Sequence, residues 1–253
     1  MSFTVASWNI LADAYIRPDI YRECRPDAID PALRLGRLID RVEALAADVV
    51  CLQEIEAEFS ARLALAIPWK RCFAKKGGAR KDGCEIRVRP PAAPGPWDSF
   101  LYADGSGHVA IVAVVLLAEG PVAIATTHLK WDPPGTAAAQ RYGLRQTEEL
   151  LAALRERAPG IPWIACGDFN VTADDAVLAR FAEAGFSDAY DSMPLASTCV
   201  ANGRARRIDF MLYTAGLMAK PRPLSLLTDD AILPSVKIPS DHLAIAATFE
   251  RLR

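Results

Sequence analysis

The sequence predicts an α/β domain rich in strands and hairpins, and three observations carry that expectation. Strand-like apolar runs outnumber helix-like ones, and several neighbouring runs are joined by short turns, as hairpins are. That proportion argues against a simple βαβ parallel sheet. The chain has 253 residues, 51% of them hydrophobic and 24% charged, which suits one large domain, or at most two, with an ample core.

In chain order, residues 3–11 alternate as a strand, with Asn9 near its end. Segment 12–30 is loop-like and carries Asp13, Tyr15, Arg17 and Arg25. Asp30-Pro31 reads as an N-cap followed by proline in the first turn. Leu35, Leu38, Ile39, Val42 and Leu45 then recur at helical spacing, so one face is expected to be buried. Residues 48–55 form an apolar strand ending in Gln53-Glu54, where a buried acid needs a partner or a cation. Glu56 and Glu58 open a second helix to about Ile67, with acids suitably in its first turn. Strands at 69–75 and 83–89 flank a Gly-Gly-Ala-Arg-Lys-Asp-Gly turn. Four prolines between Pro90 and Pro96 predict a rigid loop.

Val109–Leu117 and Val122–Leu129 read as a hairpin whose second strand ends in Thr126-Thr127-His128-Leu129. A loop at Trp131-Asp132-Pro133 follows, and Thr136 is the expected cap of a long helix to Ala158. Trp163–Cys166 is a short buried strand ended by Gly167, with Asp168 and Asn170 just beyond. In extended backbone, residues two apart face the same side, so this carboxylate and carboxamide would converge. The same residues also suit an Asx turn at a strand end. Thr172, Asp174 and Asp175 open a short helix to about Ala184. Asp209 sits within a strand at 204–214, and Asp241-His242 precede a final alternating strand.

Net charge is −2 with pI about 6.0, which excludes a generally basic nucleic-acid coat protein. A local basic run exists: Lys70, Arg71, Lys75, Lys76, Arg80, Lys81, Arg87 and Arg89. It suits either substrate steering or an ordinary solvated face. Six scattered cysteines without a Cys-x-x-Cys pair predict reduced, mostly buried thiols, no zinc site and a cytoplasmic protein. No apolar run approaches membrane-helix length, and the N-terminus lacks signal-peptide character.

Asn9, Glu54, His128, Asp168, Asn170, Asp209, Asp241 and His242 each lie in or beside a predicted strand with apolar neighbours. Each could be a turn residue or a structural acid; Asp209, for example, could pair with Arg206 or Arg207. Together they suggest one rim where strands end. Oxygen-rich side chains of this kind suit a hard cation such as Mg²⁺.

Six short motifs, in order, resemble the endonuclease/exonuclease/phosphatase superfamily of Mg²⁺-dependent phosphoesterases: Ser-Trp-Asn9, Leu-Gln-Glu54, Thr-His128-Leu, Gly-Asp168-Phe-Asn170, Arg-Ile-Asp209-Phe and Ser-Asp241-His242. Asn-Ile-Leu-Ala-Asp13-Ala-Tyr15, Asp82-Gly83-Cys84 and Thr-His-Leu-Lys130-Trp131-Asp132 resemble its deadenylase, nocturnin and Angel-like branch. The chain differs from the eukaryotic members of that branch in lacking a leucine-rich repeat. The resemblance implies a four-layer α/β sandwich over a single catalytic domain at 1–253, with two mixed sheets face to face and helices outside.

It also implies roles. Glu54, with Asn9 and Asp241, is expected to hold Mg²⁺, for which Mn²⁺ would substitute. Asp168 would deprotonate the attacking water, and Asn170 would hold a phosphate oxygen. His128 and His242 would donate to phosphate oxygens, with Asp209 behind His242. Asp13, Tyr15, Lys81, Lys130 and Trp131 are the expected substrate contacts, and loops 18–30 and 90–107 the walls of the groove. The expected activity is a phosphodiesterase acting on RNA as a 3′-end exoribonuclease. The alternatives are a phosphatase or cyclic phosphodiesterase on RNA 2′,3′-cyclic phosphate ends, a small-nucleotide phosphatase, and a non-catalytic nucleic-acid binding module. No membrane and no obligate protein partner are expected.

Overall fold

The computed structural model describes residues 2–17, 19–193, 196–201 and 203–252. Met1 and Arg253, the ends of the expected domain, and Pro18 of the first loop lie outside the described residues. Fourteen strands and five α-helices are seen among those described. One six-stranded sheet contains β1 (Ser2–Asn9), β2 (Val49–Glu56), β3 (Lys70–Lys75), β4 (Asp82–Val88), β13 (Leu217–Pro221) and β14 (Ile245–Arg251), in the order β13-β14-β1-β2-β4-β3. The other contains β5 (Ala93–Leu101), β6 (Val109–Leu117), β7 (Gly120–His128), β8 (Trp163–Asp168), β9 (Phe186–Asp188) and β12 (Asp209–Thr214), in the order β5-β6-β7-β8-β12-β9. A small hairpin, β10 (Cys199–Ala201) and β11 (Arg204–Arg206), stands apart from both.

Both large sheets are mixed. β1 runs parallel to β2 and β7 parallel to β8, and each pair is joined by a helical crossover. The facing sides of the sheets bury Val5, Cys51, Ile86, Ile111, Ile124, Cys166, Met211 and Phe249, among others. Helices α1 (Pro26–Ile29) and α2 (Pro31–Ala44) make the first crossover, and α3 (Ala57–Ala66) follows β2. Beneath α2 and α3, Leu38, Val42 and Leu63 pack with Trp8 and Leu52 on the outer face of the first sheet. Helices α4 (Tyr142–Arg157) and α5 (Ala176–Glu183) cover the second, through Leu150, Leu154, Val177 and Phe181. Helices, sheet, sheet and helices therefore make the expected four layers.

Gln53 ties the layers together beneath the rim. Its buried amide donates to Ser7 Oγ (3.1 Å) on the neighbouring strand and to Thr126 Oγ1 (2.9 Å) on the opposite sheet.

Several expectations are corrected. The strand expected at 204–214 is two, β11 in the small hairpin and β12 in the second sheet. Part of the proline-rich loop is strand: β5 begins at Ala93 and bulges between Pro94 and Trp97. It is an edge strand, where a missing N–H is tolerated. The long helix does not start at Thr136, whose hydroxyl bonds Pro133 O. It starts at Tyr142, capped from a distance by Asp132, whose carboxylate accepts the Tyr142 and Gly143 N–H groups (2.9 and 3.0 Å). The basic run is not one solvated face, because Lys76 and Arg87 are buried. Arg87 lies against Glu85 and donates to Ile67 O and Ser60 O. All six cysteines are free and five are buried. No helix among the described residues is long and apolar enough to cross a membrane.

Candidate active site

The C-terminal ends of β1, β2, β7 and β8 lie on one rim, and they carry Asn9, Glu54, His128 and Asp168. β12 runs antiparallel to β8, which places Asp209 opposite Asp168. Asp241 and His242 arrive on the loop before β14.

Local backbone aims these groups. Glu54 has φ +56° where the pairing of β2 with β4 slips between Gln53 and Ile55. This bulge turns the acid out of the strand's alternation while Gln53 and Ile55 stay buried. Asn170 has φ +54°, so it does not follow Asp168 in extended backbone. Its N–H bonds Asp168 Oδ1 (2.9 Å), an Asx turn, and its side-chain amide still reaches the rim. Gly167, at φ +146°, lies so close to Thr127 that a Cβ would stand 1.9 Å from its carbonyl oxygen.

The hydrogen bonds converge on Asp168. Asn9 Nδ2 donates to Asp168 Oδ2 and to Glu54 Oε1, each at 3.0 Å, while Asn9 Oδ1 accepts from Leu11 N. Asn9 thus presents its NH₂ to the acids and keeps its oxygen for the backbone, which differs from direct metal ligation through that oxygen. Glu54 Oε2 accepts from Ala12 N (3.1 Å). His242 Nε2 stands 3.7 Å and His128 Nε2 3.6 Å from Asp168 Oδ2. His242 Nδ1 pairs with Asp209 Oδ2 (2.8 Å), whereas Arg207 pairs with Asp188. Asn170 Nδ2 meets His128 Nε2 and Leu129 O, both at 2.9 Å.

Burial sets the charges. It pushes the Asp168 carboxyl up to about 7, with His242 opposing and Asp209 reinforcing. It also raises Glu54, with Asp241 adding to the effect. For His242, burial favours the neutral ring, but Asp209 and Asp168 prevail and hold the imidazolium well above its ordinary range. For His128, burial and then Lys76 push the imidazole well below its ordinary range.

The expected substrate contacts are spread around this centre. Tyr15 donates to Asp82 (2.6 Å), Asp82 pairs with Lys76 (2.7 Å), and Lys76 Nζ stands 3.3 Å from His128 Nδ1. Lys130 is half-buried two residues past His128, while Lys81 and Trp131 are exposed. The Asp13 carboxylate is paired with Arg34 (2.8 Å) and is thereby committed to the loop.

Three groups at the site were missed. Lys76 continues the inward face of Cys72 and Ala74, a period-two signal that was available. Arg34, fully buried, lies four residues before Leu38 on the apolar stripe of α2. It donates to Ile10 O, Leu11 O and Pro239 O, tying the loop after Asn9 to the one before Asp241. His108, at the start of the hairpin, bonds His128 O (2.8 Å) and packs edge-on against its ring. Two motif residues prove to be fasteners: Trp8 Nε1 donates to His242 O, and Ser240 Oγ donates to Asn9 O.

The donor set fits a divalent cation. Glu54, Asp168 and Asp209 are largely buried, and Asp209 Oδ1 has no hydrogen-bond partner among the described residues. Among the described residues, neither lysine nor arginine pairs with Glu54, Asp168 or Asp209. Such an excess of buried carboxylate calls for a positive charge. Asp168, Asp209 and His242 have donor atoms within 4.8 Å of one another and could hold such an ion.

A family model described as "Endonuclease/Exonuclease/phosphatase family" matches residues 6–242. Nocturnin of Xenopus laevis is 27% identical over 98% of this chain and 72% of its own length. Human "Protein angel homolog 1" is 27% identical over 76% of this chain and 32% of its own. The chain spans about two thirds of the length of the nocturnins it matches. A solved structure of ANGEL2, described as a 2′,3′-cyclic phosphatase, superposes with a TM-score of 0.82 at 21% identity, covering 98% of this chain and 95% of that one.

Proposed function

This chain belongs to the endonuclease/exonuclease/phosphatase family, in its nocturnin- and Angel-like branch, and from that premise we propose a Mg²⁺-dependent phosphodiesterase acting on RNA, a deadenylase-like 3′-end exoribonuclease. It is a hydrolytic phosphoesterase. The observation that carries the reading is the convergence of Asn9, Glu54, His128 and Asp168 from four parallel strand ends onto one point, with His242 opposite. We take residues 1–253 as one catalytic domain in a cytoplasmic protein, a placement supported by its free thiols.

Glu54 and Asp241 would hold the cation, with Asn9 orienting Glu54 through its NH₂. When bound, the cation supplies neutralisation of charge on a phosphoryl oxygen. Mg²⁺ suits this oxygen set, and Mn²⁺ would substitute.

Asp168 takes the proton of the attacking water at Oδ2, because a carboxyl near 7 is a competent base at neutral pH. Its other oxygen is held by Asn170 N. His242, kept charged by Asp209, donates from Nε2 to a non-bridging oxygen as charge develops there. His128 and the Asn170 amide fix the phosphate from the opposite side, and Lys76 adds positive charge behind them. Lys130 and Lys81 follow the RNA backbone, and Trp131 offers an exposed ring for a base.

One observation favours the second reading, an RNA end or a small nucleotide. A cavity of about 660 Å³ opens beside Asp241 and Tyr21, where Asp19, Glu23, Asp229 and Asp230 outnumber the single basic residue Arg22. Those acids oppose a long phosphodiester chain on that side.

The test uses one 5′-labelled RNA ending either in 3′-OH or in 2′,3′-cyclic phosphate, with Mg²⁺ and an Asp168→Ala control. A ladder of shortened products from the 3′-OH form supports exonuclease action. A change of end-group mobility on the cyclic form, with length intact, replaces it with the second reading. No change in either RNA refutes action on RNA ends.

A further inference from the structure

The Asp241 side chain has little to hold it. Asp241 is half-buried and lies between β13 and β14, where no regular ladder orders the chain. Its backbone is well fixed. Ser240 Oγ bonds Asn9 O (2.7 Å) and accepts from His242 N (3.1 Å), while Arg34 holds Pro239 O (3.1 Å). Its carboxylate is another matter. Ser240 Oγ stands 3.5 Å from Oδ1, at the limit of a hydrogen bond. Among the described residues, the one short side-chain bond to that carboxylate comes from Tyr21, whose hydroxyl donates to Oδ2 at 2.9 Å.

Tyr21 is itself anchored. Its N–H bonds Arg17 O and its carbonyl accepts from Cys24 N, each at 3.0 Å. Upstream, Arg34 pins the same stretch through Ile10 O, Leu11 O and Asp13. Arg34 thus fixes the two backbones, and Tyr21 is left to fix the side chain. A phenol keeps its proton at working pH, so it is a constant donor to the carboxylate.

We propose that Tyr21 is the positioning residue of the cation site, its hydroxyl holding the Asp241 carboxylate in a cation-binding orientation. The proposal rests on the metal reading above. A partner that orients a ligating carboxylate typically changes metal affinity by about 10–100-fold. The Tyr21 ring also belongs to the wall of the cavity beside Asp241, together with Ile20, Ile232 and Leu233. Removing only the hydroxyl leaves that wall in place, so substrate affinity and cation affinity are expected to separate.

The experiment titrates the full chain with Mn²⁺ alone, read by electron paramagnetic resonance, for wild type, Tyr21→Phe and Asp241→Ala. The Mg²⁺ dependence of kcat is measured alongside. Tyr21→Phe is expected to weaken Mn²⁺ binding about 10-fold or more and to raise the half-saturating Mg²⁺ by the same factor. Its kcat should recover towards the wild-type value as Mg²⁺ is raised to saturation, because the missing hydroxyl acts through cation affinity. Unchanged Mn²⁺ affinity in Tyr21→Phe, with weakened binding in Asp241→Ala, overturns the positioning role alone. Unchanged affinity in both variants overturns it together with Asp241's place in the metal shell. A fall in saturated kcat without any change in Mn²⁺ affinity also overturns it.

Discussion

Replacing Asp168 by Asn should abolish activity and stabilise the protein in the same stroke. The substitution keeps the shape and an acceptor for Asn170 N, but it removes the base. General-base catalysis contributes about 10²–10⁴ in rate, or roughly 3–5 kcal/mol of barrier, and that is the expected loss in kcat. The stability effect has the opposite sign. Burial lifts the Asp168 carboxyl from 3.8 to about 7, so the folded protein binds the proton more tightly than the unfolded chain does. Stability therefore falls as pH rises from about 4 to about 7, because ionising Asp168 costs more in the fold than in water. That difference, in which the opposing pull of His242 is already counted, caps the cost at about 4 kcal/mol. Thermal unfolding in EDTA, at pH 4.5 and pH 8, should show Asp168→Asn more stable than wild type at pH 8 only. Wild-type kcat in the folded variant would refute the base assignment. An equal change in Tm at the two pH values would refute the electrostatic argument.

Glu54→Gln should lose activation by Mg²⁺ while remaining folded; an unchanged Mg²⁺ titration would remove Glu54 from the cation site. Asp209→Asn should lower kcat/KM, and combined with His242→Asn it should add little, because the two act as a unit; additive losses would separate them. The charge pairing of His242 with Asp209 stabilises the fold below the ordinary histidine range and is lost as pH rises through the raised value. The Tm deficit of Asp209→Asn should accordingly be full at pH 6 and shrink as pH rises through the raised value. Gly167→Ala must move the Thr127 carbonyl and should cost about 3 kcal/mol or more, a drop of roughly 6–12 °C; a wild-type melting curve would show that β7 and β8 can part freely.

The strand ends were legible because apolar runs stop there at residues that cannot be buried unpaired. Glu54, Asp168 and Asp209 are each an acid against such a run. What escaped were groups whose partners lie far along the chain. Arg34 reads as an ordinary helix charge until its guanidinium is seen among the carbonyls of Ile10, Leu11 and Pro239. Lys76 reads as one more basic residue of a hairpin until Asp82 and His128 are seen around it. Asp132 read as part of a loop motif resembling one branch of the family, and its carboxylate caps α4 ten residues on. The edge strand β5 was hidden by its prolines, which rule out a central strand but not an outer one. The Asp168–Asn170 spacing put both groups on the rim for a reason the alternation argument did not contain, since a left-handed residue stands where extended chain was assumed.

The Gln53 amide has a mechanical consequence. It is the residue before Glu54, and Thr126 is two residues before His128, so this bridge crosses the gap between the sheets just below the catalytic groups. The strand ends that carry Glu54 and His128 are consequently held at a set gauge, the length of one glutamine side chain, which leaves His128 Nδ1 3.7 Å from Glu54 Oε1. The cleft behaves as a slot of fixed width and not as a jaw. Binding a phosphate there need not draw the two sheets together, and the sorting of substrates falls to the loops at its lip.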